Sequence, residues 1–115
     1  MPLLPDEDLE AVVRLMPEAF TVLEFADRLA EVRPERWAEL VERYGLYGSV
    51  TRYSALTYLG NRLGAYSRRK GRPLLLPTPR GWKPEESPFL RRATPEERKR
   101  FGSPWIVVYR RRPEG

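Results

Sequence analysis

Apolar side chains recur at helical spacing through the first two thirds of the chain. Four segments show this period, and we expect a helix in each: residues 5–15, 22–31, 34–44 and 50–69. Thr21 and Glu24, three residues apart, form a capping box at the start of the second segment. Ser49 or Thr51 is expected to cap the fourth. This part of the chain is therefore predicted to be a group of helices.

The pattern changes after Pro73. Leu74–Leu76 is a short apolar run, and Trp105–Tyr109 combines β-branched and aromatic residues, so we expect two antiparallel strands. Between them a second capping box, Thr94 with Glu97, predicts a helix of one or two turns. The predicted fold class is α+β and mainly helical. Three to four helices precede a two- or three-stranded antiparallel sheet in a single domain, 1–115, with 77–104 inserted between the strands.

Charge is segregated along the sequence. Nine basic residues and no acidic residue lie between Glu42 and Glu85. The first 48 residues hold eleven acidic against five basic residues, and the rest hold five against sixteen, which leaves a net charge of +5. Such a distribution creates a directed field, and a phosphate backbone is a common partner for the basic part. We expect the acidic N-terminal half to face away from it.

Several classes of site are excluded by composition. The chain has no Cys and no His, which removes a disulfide framework, a His-based metal site and a Ser-His-Asp triad. The adjacent carboxylates Glu85-Glu86 and Glu96-Glu97 lack the convergent spacing of a Mg²⁺ site. We therefore expect no enzymatic activity, cofactor or metal. No signal-peptide pattern or membrane-length apolar run is present in the sequence, so a cytoplasmic location without membrane contact is expected.

The fourth helical segment has an unusual polar face. Its apolar stripe is matched on the opposite side by small or hydrogen-bonding residues, without a carboxylate: Ser54, Thr57, Tyr58, Asn61, Ala65 and Arg68, flanked by Tyr53 and Arg62. A helix that enters a DNA groove needs small residues and neutral donors, because carboxylates are repelled by the flanking phosphates. Contact with another protein, or no contact at all, remains an alternative.

The order of these elements resembles a winged helix-turn-helix domain over roughly residues 5–112. Four segments carry the resemblance: Phe20–Leu29, Thr51–Arg69, Leu74–Leu76 and Trp105–Tyr109. It implies that Thr51–Arg69 is the recognition helix, and that the basic stretch from Arg72 to Lys83 is a wing on the DNA backbone. The additional helix at 34–44 and the long 77–104 insertion depart from the pattern.

The resulting hypothesis is sequence-specific binding of double-stranded DNA in transcriptional regulation. Base contacts are assigned to Ser54, Thr57, Tyr58 and Asn61. Backbone contacts are assigned to Arg52, Arg62, Arg68, Arg69, Lys70, Arg72, Arg80 and Lys83. A homodimer through the acidic N-terminal half, with the helix at 5–15 as its interface, is the expected assembly.

Two other functions stay open at this point. One is a protein–protein adaptor. The other is RNA binding, with Trp82 stacked on an unpaired base. A role for Trp82 as an anchor folded back on the core is favoured over stacking, and Trp37 and Trp105 are expected in the core. Arg110–Arg112 either extends the phosphate footprint or only tunes solubility.

Overall fold

The computed structural model describes residues 3–46, 53–78 and 90–113. Within these ranges the protein is an α+β domain with five helices and one three-stranded antiparallel sheet, which confirms the predicted fold class. The elements in chain order are α1 (Asp6–Val13), β1 (Ala19–Thr21), α2 (Val22–Val32), α3 (Pro34–Tyr44), α4 (Ala55–Ser67), β2 (Leu90–Arg92), α5 (Pro95–Phe101) and β3 (Trp105–Arg110).

The start of α2 follows the predicted capping box. Thr21 Oγ1 accepts the Glu24 amide at 3.3 Å, and the Glu24 carboxylate accepts the Thr21 amide at 3.1 Å. Phe20 and Phe25 stack across this cap with ring centroids 6.2 Å apart, as a hydrophobic staple does. These local contacts fix where the chain turns from β1 into α2.

The start of α4 was predicted incorrectly. The helix begins at Ala55 rather than near residue 50, because Ser54 is extended at φ −130° and ψ 177° and caps it. The Ser54 hydroxyl accepts the Thr57 amide at 3.4 Å, and the Thr57 hydroxyl accepts the Ser54 amide at 3.2 Å. Ser49 and Thr51, the predicted caps, lie outside the described residues.

The sheet has the order β1-β3-β2, with β3 in the centre. The predicted strand 74–76 is reduced to one bridge, Leu75 to Arg111, beyond the predicted partner 105–109. That prediction was wrong because β2, from inside the interval 77–104, pairs with Trp105–Val107 instead. β1, which precedes α2, occupies the other side of β3. The predicted helix after Thr94 is confirmed as α5.

The core is built around α4. Its apolar stripe of Leu56, Leu59 and Leu63 is buried, as predicted, in the common hydrophobic core, where α2 and α3 pack against α4. The Tyr109 hydroxyl of β3 donates to the Gly60 carbonyl of α4 at 3.0 Å, and burial raises the pKa of Tyr109. One side of α4 is therefore buried in the core, and its other side faces outward.

Candidate nucleic-acid interface

The outward side of α4 keeps the small, neutral character expected from the sequence. Asn61 and Ala65 are exposed, and no residue of α4 is acidic. The Asn61 amide donates a long bond of 3.4 Å to the Tyr53 hydroxyl, which is itself exposed. This narrow strip around Asn61 and Ala65 can approach a phosphate-flanked groove without charge repulsion.

Three of the four residues assigned to base contacts have internal partners. The placement of Ser54 on the outward face was wrong, because it is 0% exposed and its hydroxyl caps α4. Thr57 belongs to the same cap. The Tyr58 hydroxyl accepts the Leu4 amide at 3.2 Å, so this side chain is half-buried beneath the N-terminal segment. Asn61, whose long hydrogen bond goes to another exposed side chain, is the member of that group on the exposed surface.

Asp6, at the start of α1, holds two of the arginines assigned to DNA phosphates. Its carboxylate accepts hydrogen bonds from Arg62 and from Arg69. The Arg69 and Arg62 guanidinium groups lower the pKa of Asp6 to about 2. Arg62 also donates from Nε to the Leu4 carbonyl at 3.1 Å, and its side chain is only 12% exposed. The single carboxylate therefore offsets one of the two positive charges, and both guanidinium groups are engaged in contacts within the molecule.

Two other carboxylates of α1, those of Asp8 and Glu10, also have internal partners. Asp8 accepts Arg33 at 3.0 Å and Arg36 at 2.9 Å. Glu10 accepts the Tyr66 hydroxyl at 2.6 Å; burial, followed by the contact with Glu10, raises the pKa of Tyr66 to about 12. Asp6 and Glu10 therefore bring α1 against α4, so the acidic and basic parts of the chain meet at this contact. That the acidic half faces away from DNA stays a prediction.

Arg68 has a structural role at the C-terminal end of α4. Its guanidinium donates to the Thr78 hydroxyl at 3.1 Å, and the Ser67 hydroxyl lies 2.9 Å from the same oxygen. Arg68 Nε is buried without a hydrogen-bond partner among the described residues. These contacts hold the segment after α4 against the helix, and they leave Arg68 poorly placed for an external phosphate.

Four cations remain available where α4 ends, and we name them the basic end: Lys70, Arg72, Arg110 and Arg112. Lys70 and Arg72 are exposed on the turn at Gly71, whose φ of +96° favours glycine. The C-terminal residues reach the same place, because the Arg112 amide donates to the Leu74 carbonyl at 2.6 Å. Arg112 Nε also donates to the Pro73 carbonyl at 3.0 Å. No described carboxylate forms an ion pair with these four residues.

The other residues singled out in the sequence form two groups: those outside the described residues, and two tryptophans inside them. Arg52, Arg80, Lys83 and Trp82 lie outside the described residues. Trp37 is half-buried against the core, as expected, whereas Trp105 is half-buried beneath the Arg92 guanidinium, 5.5 Å from its ring centroid.

Over the described ranges, no helix has the length and apolar character to cross a membrane. The same residues contain no cluster of His, Cys, Asp or Glu arranged to hold a metal ion.

Comparison with known proteins returns no relative: no family model, curated protein sequence or solved structure matches this chain.

Proposed function

We propose that this protein binds double-stranded DNA and acts in transcriptional regulation. The observation that carries the proposal is the position of the basic end, directly beyond the last turn of α4. The strip around Asn61 and Ala65 lies on α4, and Lys70 and Arg72 follow in the turn after that helix. Neutral side chains at the groove, with cations at its phosphate edge, are the two elements that duplex recognition requires.

The contacts of each arginine and lysine support a revised assignment of DNA-contacting and positioning residues. Lys70, Arg72, Arg110 and Arg112 contact phosphates in this proposal, and Asn61 reads a base edge. Arg62 and Arg69 act instead as positioning residues, since they tie α4 to Asp6. The small sheet beside α4 is compatible with the winged helix-turn-helix resemblance, and the basic end takes the place that the resemblance gives to a wing.

The direct test is a titration against duplex DNA, hairpin RNA and a neutral polymer at several salt concentrations. We expect the duplex to bind with an affinity that falls steeply as salt increases, because phosphate contacts release counterions. In the triple variant K70Q/R72Q/R110Q the slope of log K against log salt should become shallower by about 0.9 per lost contact, roughly 2.7 in all.

The matched control is R14Q/R28Q/R43Q, which removes the same charge from exposed arginines elsewhere. It should leave the slope nearly unchanged. Absence of binding to the duplex at low salt, or equal losses in the two triple variants, would refute the proposal. A clear preference for hairpin RNA would instead support the RNA-binding function, with the basic end as its contact surface.

Sequence readout needs a separate measurement. Asn61→Ala should relax the preference among duplex sequences, with a discrimination loss of roughly 1–3 kcal/mol at the base it contacts. Lys70→Ala should instead weaken all sequences by a similar factor. If the two variants lose affinity uniformly and equally, Asn61 is not a reader of bases.

An exposed aromatic and apolar patch favours the adaptor function as a second candidate. Tyr53 and Leu46 are 47% and 40% exposed, and the Tyr53 ring centroid lies 5.1 Å from that of Tyr44.

The proposed homodimer through α1 has Leu15, 52% exposed just beyond that helix, as its apolar contact. Sedimentation of Leu15→Glu beside Tyr53→Glu separates these surfaces: loss of dimer in the first alone supports the α1 interface, whereas a wild-type monomer at all concentrations excludes it.

A further inference from the structure

A second group of cations lines a pocket at the opposite end of β3. The end of β2, one side of α5 and the turn before β3 border an open cleft of about 560 Å³. Its described lining consists of three cations and three small or apolar residues: Arg92, Arg98, Lys99, Ala93, Pro95 and Pro104. A volume of this size is typical of small-ligand sites.

No carboxylate contributes to the described lining of this pocket. Pro95, Arg98 and Lys99 are spaced three and four residues apart, so they share one side of α5. Glu97 points elsewhere, because its carboxylate accepts both terminal nitrogens of Arg91 at 2.7 and 2.8 Å. This contact with Arg91 lowers the pKa of Glu97 to about 2, so the acid stays charged and engaged outside the pocket.

Arg92 is oriented by an aromatic ring. It pairs with Trp105 across the β2–β3 ladder, and its guanidinium lies 5.5 Å from the indole centroid. Stacking on an aromatic face restricts the guanidinium while leaving its N–H groups free to donate. Neither Arg98 nor Lys99 has an ion-pair partner among the described residues. Three like charges around one cavity repel each other, and an anion relieves that repulsion.

We propose that this pocket binds a small ligand with at least two phosphate groups, independently of DNA. The planar Arg92 and Arg98 groups suit bidentate contacts to phosphate oxygens, and Lys99 adds a point charge. The pocket lies near Trp105, where β3 begins, whereas the basic end lies where β3 ends. A strand of this length separates the two by roughly 17 Å, so one phosphate group cannot occupy both.

The test uses inorganic pyrophosphate as the probe and NMR of the whole protein as the readout. The indole N–H of Trp105, assigned with W105F, and the amides of Ala93, Arg98 and Lys99 should shift in a saturable manner. Double variant R98Q/K99Q should weaken pyrophosphate by about tenfold or more, because two charged hydrogen-bond donors are lost. The control R14Q/R28Q should bind pyrophosphate as the wild type does.

Three outcomes would overturn this proposal. They are no saturable shift with millimolar pyrophosphate, equal affinity in R98Q/K99Q and wild type, and identical shifts with sodium chloride at matched ionic strength. Duplex DNA provides a further arm. If R98Q/K99Q loses duplex affinity while pyrophosphate fails to bind, the pocket belongs to the DNA surface, and the small-ligand site is refuted while duplex binding itself stands.

Discussion

The cations in α4 and just after it fall into two groups with opposite environments. Arg62 and Arg69 bind the Asp6 carboxylate, whereas Lys70 and Arg72 project from the following turn without a described acidic partner. Only one peptide bond separates Arg69 from Lys70. The contrast shows that the field a protein offers to a ligand depends on tertiary ion pairs and not on the density of basic residues along its sequence.

Exposure alone would not reveal this difference. The Arg69 side chain is 45% exposed, yet two of its nitrogens donate to Asp6, one of them at 3.2 Å. A phosphate that binds Arg69 has to compete with that carboxylate or tolerate its negative charge nearby. A phosphate that binds Arg72 meets neither obstacle, so the two arginines should differ in function despite similar positions.

The largest expected effect on stability concerns α4, the helix that lies next to both groups of cations. Leu59→Ala should lower the free energy of unfolding by about 2–5 kcal/mol, because Leu59 is fully buried and the change leaves a cavity. Ala65→Ser, on the exposed strip, should cost less than about 0.7 kcal/mol through helix propensity alone. Urea denaturation of the two variants measures both free energies of unfolding. Equal losses would mean that the buried and outward sides of α4 have been assigned incorrectly.

A smaller loss is expected when the contact between Glu10 and α4 is removed. Tyr66→Phe deletes the hydroxyl that donates to Glu10 at 2.6 Å and accepts the Leu74 amide at 3.0 Å. We expect the free energy of unfolding to fall by about 1–3 kcal/mol, since both partners lose a bond in a half-buried site. Absorbance titration of the wild type should also show one tyrosine with a pKa near 12, and Tyr66→Phe should remove it. A variant as stable as the wild type would show that this contact contributes little.

The smallest effect on stability is expected at Asp6 and should depend on pH. Its pKa of about 2 lies below the unfolded value of roughly 4, so its stabilisation is present above pH 4 and is lost as the pH falls towards 2. Because the Asp6 side chain is 46% exposed, solvent screening limits the loss in Asp6→Asn to about 1 kcal/mol or less.

The measurement is the free energy of unfolding of wild type and Asp6→Asn between pH 2 and pH 7. The two curves should converge at the acidic end and separate towards neutral pH. Parallel curves over the whole range would show that Asp6 does not hold its arginines in solution. Glu97→Gln should show the same convergence at acidic pH, because that carboxylate has a similar pKa and an arginine partner away from α4.

Local signals in the sequence predicted most of the helical framework. The capping pairs at Thr21 and Thr94 and the proline at position 34 fixed helix starts that the structure reproduces. The apolar period over Leu56–Leu63 likewise identified the buried side of α4. These features depend on contacts within four residues, which is the range that a sequence pattern can encode directly.

Long-range features could not be predicted in the same way. The hydrogen bond from Arg62 to Asp6 joins residues 56 positions apart, and nothing near either residue indicates the partner. The strand β2 has three residues and pairs only because β3 offers an edge there. The pocket at α5 did leave a signal, the spacing of Pro95, Arg98 and Lys99 on one helix side, but the stacking of Arg92 on Trp105 arises only through the sheet.

The most direct test of the central claim compares Arg72→Gln with Arg69→Gln in duplex binding at several salt concentrations. Each variant removes one positive charge from the same stretch of chain. We predict that Arg72→Gln lowers the slope of log K against log salt by about 0.9, whereas Arg69→Gln lowers it by less than about half as much. Equal reductions would contradict the account, because the Asp6 pairing would then make no difference to the charge that DNA encounters.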